Sequence, residues 1–410
     1  MALHVFADKK FKTCQVSFYF REKLARDRVT VNSLLLNVLQ RGTAKHSKTA
    51  DLQKKLQELY GARLDVDCLK RGDLQVSQVR FEFLSEAYSK NIGILREIAD
   101  LARDVIFDLR EFDGGYLAQE KENLKSYIAA DFNDKRTYAA KRLVEEMFRG
   151  QDYAINVDGY LEDVDAIVME DVMAAHRAMI AGNLDVFVSG DVDASDAEGL
   201  FGGMAGERTE AYAEMPKFVP EREAARVVTE RQDVAQAKLA MGFITDVVAR
   251  EADYSALSMY NAIFGGGAYS KLFNNVREKH SLCYYANSRV DRFKGVMLVN
   301  AGIQAEDYEK AHTEILRQDE AIKKGDITED EFTAARLGVI NALRSAKDSL
   351  AGMESFYLLR LLSGESLEGG LDEVISGIEK VKKADIVRVA SKVRLDTTYF
   401  LEGKSENEGI

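Results

Sequence analysis

Residues 265–285 read GGGAYSKLFNNVREKHSLCYY. Three consecutive glycines, Gly265, Gly266 and Gly267, relieve the backbone of side-chain sterics, so the spacing predicts a flexible loop that turns sharply or lies against another chain. A short helix follows, with Leu272, Phe273 and Val276 at helical spacing and facing inward. Arg277 and Lys279 stand near its end, where cations suit the negative pole of the helix dipole. Tyr284, seven residues past Arg277, opens a return strand. Glycine, short helix and strand occur in the same order once more, in the first half of the chain.

That first half opens with KTCQVSFYFR, where Cys14, Val16, Phe18 and Phe20 alternate with polar residues as in a half-buried strand. An apolar helix follows in VNSLLLNVLQ and closes at Arg41-Gly42-Thr43. TADLQKKLQELYG reads as an amphipathic helix with Thr49 as cap and Gly61 as stop. LDVDCL and QVSQVRFEFL, joined at Arg71-Gly72-Asp73, read as a hairpin. Helices are expected over 88–109, 113–149 and 160–181, then a strand in LDVFVSG. The second half repeats this order with QAKLAMGFI, YSALSMYNAIF, SKLFNNVREKH, the hairpin SLCYYANSRV/KGVMLVNAGI, helices over 306–325, 328–347 and 371–393, and a last strand in TTYFLEG. Gln15 pairs with Gln236, Gly42 with Gly265 and Glu58 with Glu278.

Both prolines, Pro216 and Pro220, fall next to the glycine-rich LFGGMAGERTE, which marks 204–222 as a linker between domains 1–203 and 223–410. The expected fold is α+β: two domains of one design, each a sheet with helices packed on one face.

Composition narrows the function. A net charge of −12 argues against a nucleic-acid surface, which needs a basic stripe. No apolar run approaches the roughly 20 residues that span a membrane, and MALHVFADKKFK lacks the pattern of a signal peptide. Cys14, Cys68 and Cys283 form no CxxC pair, which suits a reducing cytoplasm. His4, His46, His176, His280 and His312 include no two at metal-ligand spacing, so the chain is not expected to hold a zinc site of its own.

SKLFNNVREKHSLCYY is similar to the S-R-L-F…V-R-E-K-x-G-L-x-Y segment of the insulinase/pitrilysin family of zinc peptidases, of the mitochondrial-processing-peptidase type. RGT followed by a helix ending in YG resembles the family's K-G-T segment. The resemblance covers essentially the whole chain. It implies two homologous domains facing each other as a clamshell around a peptide bound as an added strand. Active members carry H-x-x-E-H on the helix before K-G-T, with a further glutamate downstream. The spacing sets both histidines and the general base on one helix face. Here those positions are Ser33, Leu36 and Asn37. Serine and asparagine are poor substitutes for imidazole, and leucine cannot activate water. Glu120 or Glu122 is the candidate remnant of the downstream ligand, and the default for either is a solvated helix-face carboxylate.

The resemblance therefore implies a subunit with no zinc and no peptidase activity alone. In family heterodimers, a subunit lacking H-x-x-E-H supplies an arginine–tyrosine pair from its second domain, and Arg277 and Tyr284 match that pair. Arginine offers a planar fork to a peptide carbonyl or carboxylate, and a tyrosine hydroxyl stabilises a developing oxyanion. Zinc and the H-x-x-E-H motif are then expected in an active homologous partner. The alternatives are a structural or assembly protein, resembling the core subunits of the respiratory cytochrome bc complex, and a homodimeric peptide-binding protein. The plainer reading of the pair is that Arg277 bridges to a helix acid and Tyr284 packs in the sheet. Cys283 beside His280 is a poor thiol dyad, and the glycine run lacks the strand and Lys-Ser/Thr of a phosphate loop.

Overall fold

The structure, a computed structural model, describes residues 3–89, 93–109, 114–205, 215–220 and 224–403. The chain divides into two compact units, one of Met1–Ala130 with Ile155–Ala213 and the other of Asp131–Ala154 with Glu214–Ile410.

Unit 1 is built on five strands, β1 (Leu3–Ala7), β2 (Thr13–Lys23), β3 (Arg63–Arg71), β4 (Leu74–Leu84) and β5 (Asn183–Gly190), in the order β1-β5-β2-β4-β3. β1 lies parallel to β5, and every other neighbouring pair is antiparallel. The alternation read in β2 holds: Cys14, Val16, Phe18 and Phe20 enter the core. The β3–β4 hairpin turns at Gly72, whose φ of 57° is the left-handed value a two-residue turn requires. Helices α1 (Val29–Leu39), α2 (Thr49–Glu58), α3 (Ile94–Ile106) and α4 (Gly114–Asn133) precede α5 (Lys135–Met147). After α5 come α6 (Leu161–Val164), α7 (Met169–Ala181) and α8 (Ala194–Ala205). Thr49 does not cap α2. Lys48 holds that position, and the Thr49 hydroxyl instead donates to the Arg41 carbonyl at 2.8 Å.

Unit 2 repeats the topology. Its strands are β6 (Arg226–Gln232), β7 (Ala237–Ile244), β8 (Cys283–Asp291), β9 (Val296–Ile303) and β10 (Arg394–Gly403), in the order β6-β10-β7-β9-β8 with β6 parallel to β10. α9 (Tyr254–Gly265) leads into a π-helical segment, Leu272–Lys279. α10 (Tyr308–Lys323), α11 (Glu329–Ala346), α12 (Leu350–Leu362), α13 (Gly370–Lys380) and α14 (Lys383–Ala390) follow.

Several expectations change. The helix read over 113–149 is two helices. Asp134 leaves helical geometry at ψ 90° and caps α5, its carboxylate accepting from the Arg136 amide and the Thr137 hydroxyl. The spans 160–181 and 371–393 are likewise two helices each, and β1, β6, α8 and α12 had no counterpart in the sequence reading. Helices do not keep to one face of the second sheet. That sheet's other face is apolar, with Ala240, Ile244, Leu298, Tyr399 and Leu401, and α5 covers it through Ala139, Leu143 and Met147. Asp131–Ala154, inside the span read as the first domain, therefore belongs to unit 2. Gly242 allows the seating, since a Cβ there would lie 2.5 Å from Met147 Sδ. The linker reading of 204–222 falls largely outside the described residues. Within it, Phe218 is buried against Phe148, and its amide donates to the Lys294 carbonyl at 2.9 Å. Among the described residues no helix is long and apolar enough to cross a membrane.

Candidate functional site

In unit 1, α1, β3 and α4 enclose a cleft of about 380 Å³. α1 contributes Ser33, Leu36 and Asn37, the three positions of the degenerate zinc motif, one helical turn apart on one face. β3 contributes Val66, Asp67 and Cys68. α4 contributes Glu120, Asn123, Leu124 and Tyr127, which share a face at spacings of three and four. Asp158 completes the wall from a segment pinned to α1. Ser33 Oγ donates to the Val157 carbonyl at 3.2 Å, and Gln75 Nε2 donates to the same carbonyl at 2.9 Å. The Tyr160 amide donates to Thr30 Oγ1 at 3.1 Å. Gly159 (φ 93°) allows the approach, because a Cβ there would lie 2.6 Å from Thr30 Cα.

The R-G-T turn explains the state of Glu120. Gly42 packs against the loop that follows it, where a Cβ would meet the His46 carbonyl oxygen at 2.6 Å. The Thr43 hydroxyl accepts from the amides of Lys45 and His46 at 3.2 and 2.9 Å, fixing the loop. Arg41 is thereby held over α4, and its guanidinium pairs with the Glu120 carboxylate, which also accepts from Asn123 Nδ2 at 3.1 and 3.2 Å. Glu120 is only 4% exposed, so the expectation of a solvated helix-face acid fails for it. A carboxylate stays buried when a charge and hydrogen bonds compensate its lost hydration, and Arg41 stands 79 positions away in sequence. Glu122 does behave as a solvated acid, exposed and paired with Lys125.

These residues do not fit zinc. Ser33 and Asn37 offer neutral oxygen or amide groups, Leu36 offers none, and Glu120 is engaged by a guanidinium. Cys68 is no substitute, since burial pushes its thiol up to about 12 against the lowering effect of hydrogen bonds from Ser33 and Gln75. Among the described residues no group of three or more His, Cys, Asp or Glu is placed to hold a metal ion.

The motif of the second half lies in unit 2. Gly265 is not in a loop: it is the last residue of α9, buried, and a Cβ there would come within 2.7 Å of the Ser288 backbone nitrogen on β8. None of the three glycines is among the positive-φ residues, so Gly265 serves close approach and Gly266 caps α9 at φ −82°. The helix expected after them is wound as a π-helix, a rare form frequent at functional sites. Leu272 and Val276 face the core as read, whereas Phe273, expected with them, is only half-buried and stays outside it. Arg277, 40% exposed, stacks its guanidinium 4.7 Å from the Phe273 ring, and its nearest acid is the adjoining Glu278 at 3.6 Å. Tyr284 does not pack in the sheet. The β8–β9 register shifts between Cys283 and Tyr285, so Tyr284 is the extra residue of a bulge on an edge strand, and it is 76% exposed. Tyr285 takes the inward place, under the Arg136 guanidinium at 4.3 Å. Cys283 is buried, its thiol pushed up to about 11 by desolvation although Arg277 lowers it, so it is no nucleophile.

Arg41, Asp158 and Tyr127 escaped the sequence reading. Only Arg41 carried a signal, as the first letter of R-G-T.

Residues 167–339 match the family profile described as "Peptidase M16 inactive domain". The chain is 36% identical to the "Probable inactive metalloprotease YmfF" of Bacillus subtilis (strain 168), over 98% of this chain and 96% of that protein. It is 26% identical, over 70% of this chain and 71% of the relative, to the "Uncharacterized zinc protease YmxG" of the same organism. Among solved structures, a conserved protein from Enterococcus faecalis V583 superposes with a TM-score of 0.91 at 30% identity, covering 99% of this chain and 97% of that one.

Proposed function

Because the chain belongs to the M16 peptidase family, among its inactive members, we propose that it is the non-catalytic subunit of a heterodimeric zinc metallopeptidase. It binds peptide as an added strand and completes the site of an active H-x-x-E-H partner, which holds the zinc. The observation that carries this reading is Tyr284: a bulge lifts a large aromatic side chain off an edge strand into solvent, 76% exposed, where packing gains nothing from it. Arg277 likewise keeps much of its fork free for a carbonyl or carboxylate. The occurrence of one relative named inactive and one named a zinc protease in a single organism supports a division of labour of this kind. A cytoplasmic location suits three free cysteines with no disulfide between them.

The test is peptide hydrolysis by the H-x-x-E-H homologue of the same genome, titrated with this protein. Activity should rise to a plateau near equimolar addition, and Arg277→Ala and Tyr284→Phe should bind the partner without restoring it. A homologue fully active alone and indifferent to the addition sinks the proposal in favour of a structural or homodimeric peptide-binding role.

A further inference from the structure

We propose that Gly302 on β9 and Arg136 on α5 are positioning residues, which seat Tyr285 on the sheet and so commit the β8 bulge to presenting Tyr284. The functional consequence rests on the reading of Tyr284 given above. Two fixed points frame the choice. Cys283 pairs with Ile303 and Ala286 with Ala301, and all four enter the core. Between those pairs β8 carries two residues, Tyr284 and Tyr285, and β9 carries one, Gly302. One tyrosine must sit opposite Gly302, and the other must leave the ladder. What Gly302 and its surroundings accept decides which.

Tyr285 is the one that is held. A Cβ at position 302 would lie 2.6 Å from Tyr285 Cε1 and 3.1 Å from its Cδ1, so the ring fills the space that a side chain there would occupy. An aromatic ring laid over a cross-strand glycine shields backbone that the glycine leaves bare. Arg136, in the first turn of α5, covers the ring with its guanidinium 4.3 Å from the centroid. α5 belongs to the same compact unit as β8 and β9, so this lid comes with the sheet. Burial pushes the Tyr285 phenol up to about 12, although Arg136 lowers it. Tyr284, the residue left over, is 76% exposed. Its phenol is therefore outside before any peptide arrives, and binding need not bear the cost of placing it.

The test uses the full-length protein and tetranitromethane, which nitrates tyrosine through its phenolate, with each modified residue located by peptide mass spectrometry. Tyr284 should react about tenfold faster than Tyr285, because burial both shields Tyr285 and raises its phenol. In Arg136→Ala and in Gly302→Val, made separately, Tyr285 should react faster and Tyr284 slower, so that their rates converge. Arg136→Lys keeps a cation over the ring and should restore most of the difference. Arg136 is exposed, so its variants keep the test open even where Gly302→Val fails to fold. A lid that merely packs leaves the rate of Tyr284 untouched when it is removed, and an unchanged Tyr284 rate in both variants overturns the proposal. Added to the active homologue, Arg136→Ala should reach its plateau at the same ratio but with a stimulated kcat about tenfold lower. Tyr285→Phe, which keeps the ring, should leave that kcat unchanged. Converged nitration rates with undiminished stimulation overturn the role given to Tyr284 and leave the seating of Tyr285 standing.

Discussion

The two units share one strand order and differ in what they do with the helix after the central strand. With Gly42 set on Gly265, Ser33 falls on Ala256 and Asn37 on Tyr260. In unit 1 Ser33 and Asn37 look into an open cleft. In unit 2 Tyr260 is fully buried, its ring stacked on Phe264 and its hydroxyl donated to Asp319 at 2.6 Å. The wall of a cleft in one repeat is core in the other. The sheets differ on their second faces as well. That of unit 1 buries Gln15, Ser17 and Arg21, with Arg21 at 2.8 Å from Asp185, whereas that of unit 2 is apolar and covered by α5. Topology has been kept through the repeat. Chemistry has been redistributed by a few side chains on the faces that the topology leaves available.

That contrast can be attacked directly, beginning where the effect is largest. Arg41→Ala leaves a buried carboxylate without its charge partner and should cost about 3–5 kcal/mol of unit 1 stability. Adding Glu120→Gln should return part of it. A melting curve unchanged by Arg41→Ala would mean that the cleft is not held by its ion pair. Leu143→Ala, at a fully buried α5 position, should cost about 3 kcal/mol through the cavity it leaves. The loss should appear as faster hydrogen exchange in β7 and β10 of unit 2, although Leu143 comes from the first half of the sequence. Exchange that speeds up in β2 and β4 instead would break the assignment of α5.

Glu230 gives a smaller, pH-dependent effect. Burial works to raise its pKa, but hydrogen bonds from Tyr399, Tyr138 and Gln232, with the Arg142 charge, outweigh it and hold the group below the ordinary 4.5. A depressed folded-state value stabilises above the unfolded value, and the contribution is lost as pH falls through the folded one. Glu230→Gln should therefore cost about 1 kcal/mol at neutral pH and flatten the acid limb below 4.5. An unchanged acid limb by chemical denaturation counts against this. Smallest of all, Tyr284→Phe should move stability by less than about 0.5 kcal/mol, because the hydroxyl sits on an exposed ring. A larger loss would return Tyr284 to a packing role and weaken the functional reading.

The sheets were legible where alternation was clean. Cys14 to Phe20 and the Gly72 turn lie where the pattern puts them, because a hairpin is encoded locally. β1 and β6 were not legible, since each is a short edge strand that pairs in parallel with a partner far along the chain. Glu120 looked solvated because its neighbours in sequence are charged, while Arg41, which buries it, is remote. For α5, an amphipathic stripe of Leu143 and Met147 announces a helix without saying which sheet it serves. Cys283 and Ala286 both enter the core although they stand three residues apart, which strict alternation forbids. The bulge resolves the conflict, and sequence alone does not reveal which of the two tyrosines between them it favours.

The placement of α5 also bears on how the chain is made. Leu143, Met147 and Phe148 leave the ribosome before β7 and well before β10, the strands they are to cover. At synthesis rates of about 5–20 residues per second the interval is on the order of tens of seconds. During it this stripe is a sticky, unpaired surface on a nascent chain. Chaperone capture should centre there, and folding of the second half, when its sheet finally forms, must reach back to collect a helix translated long before.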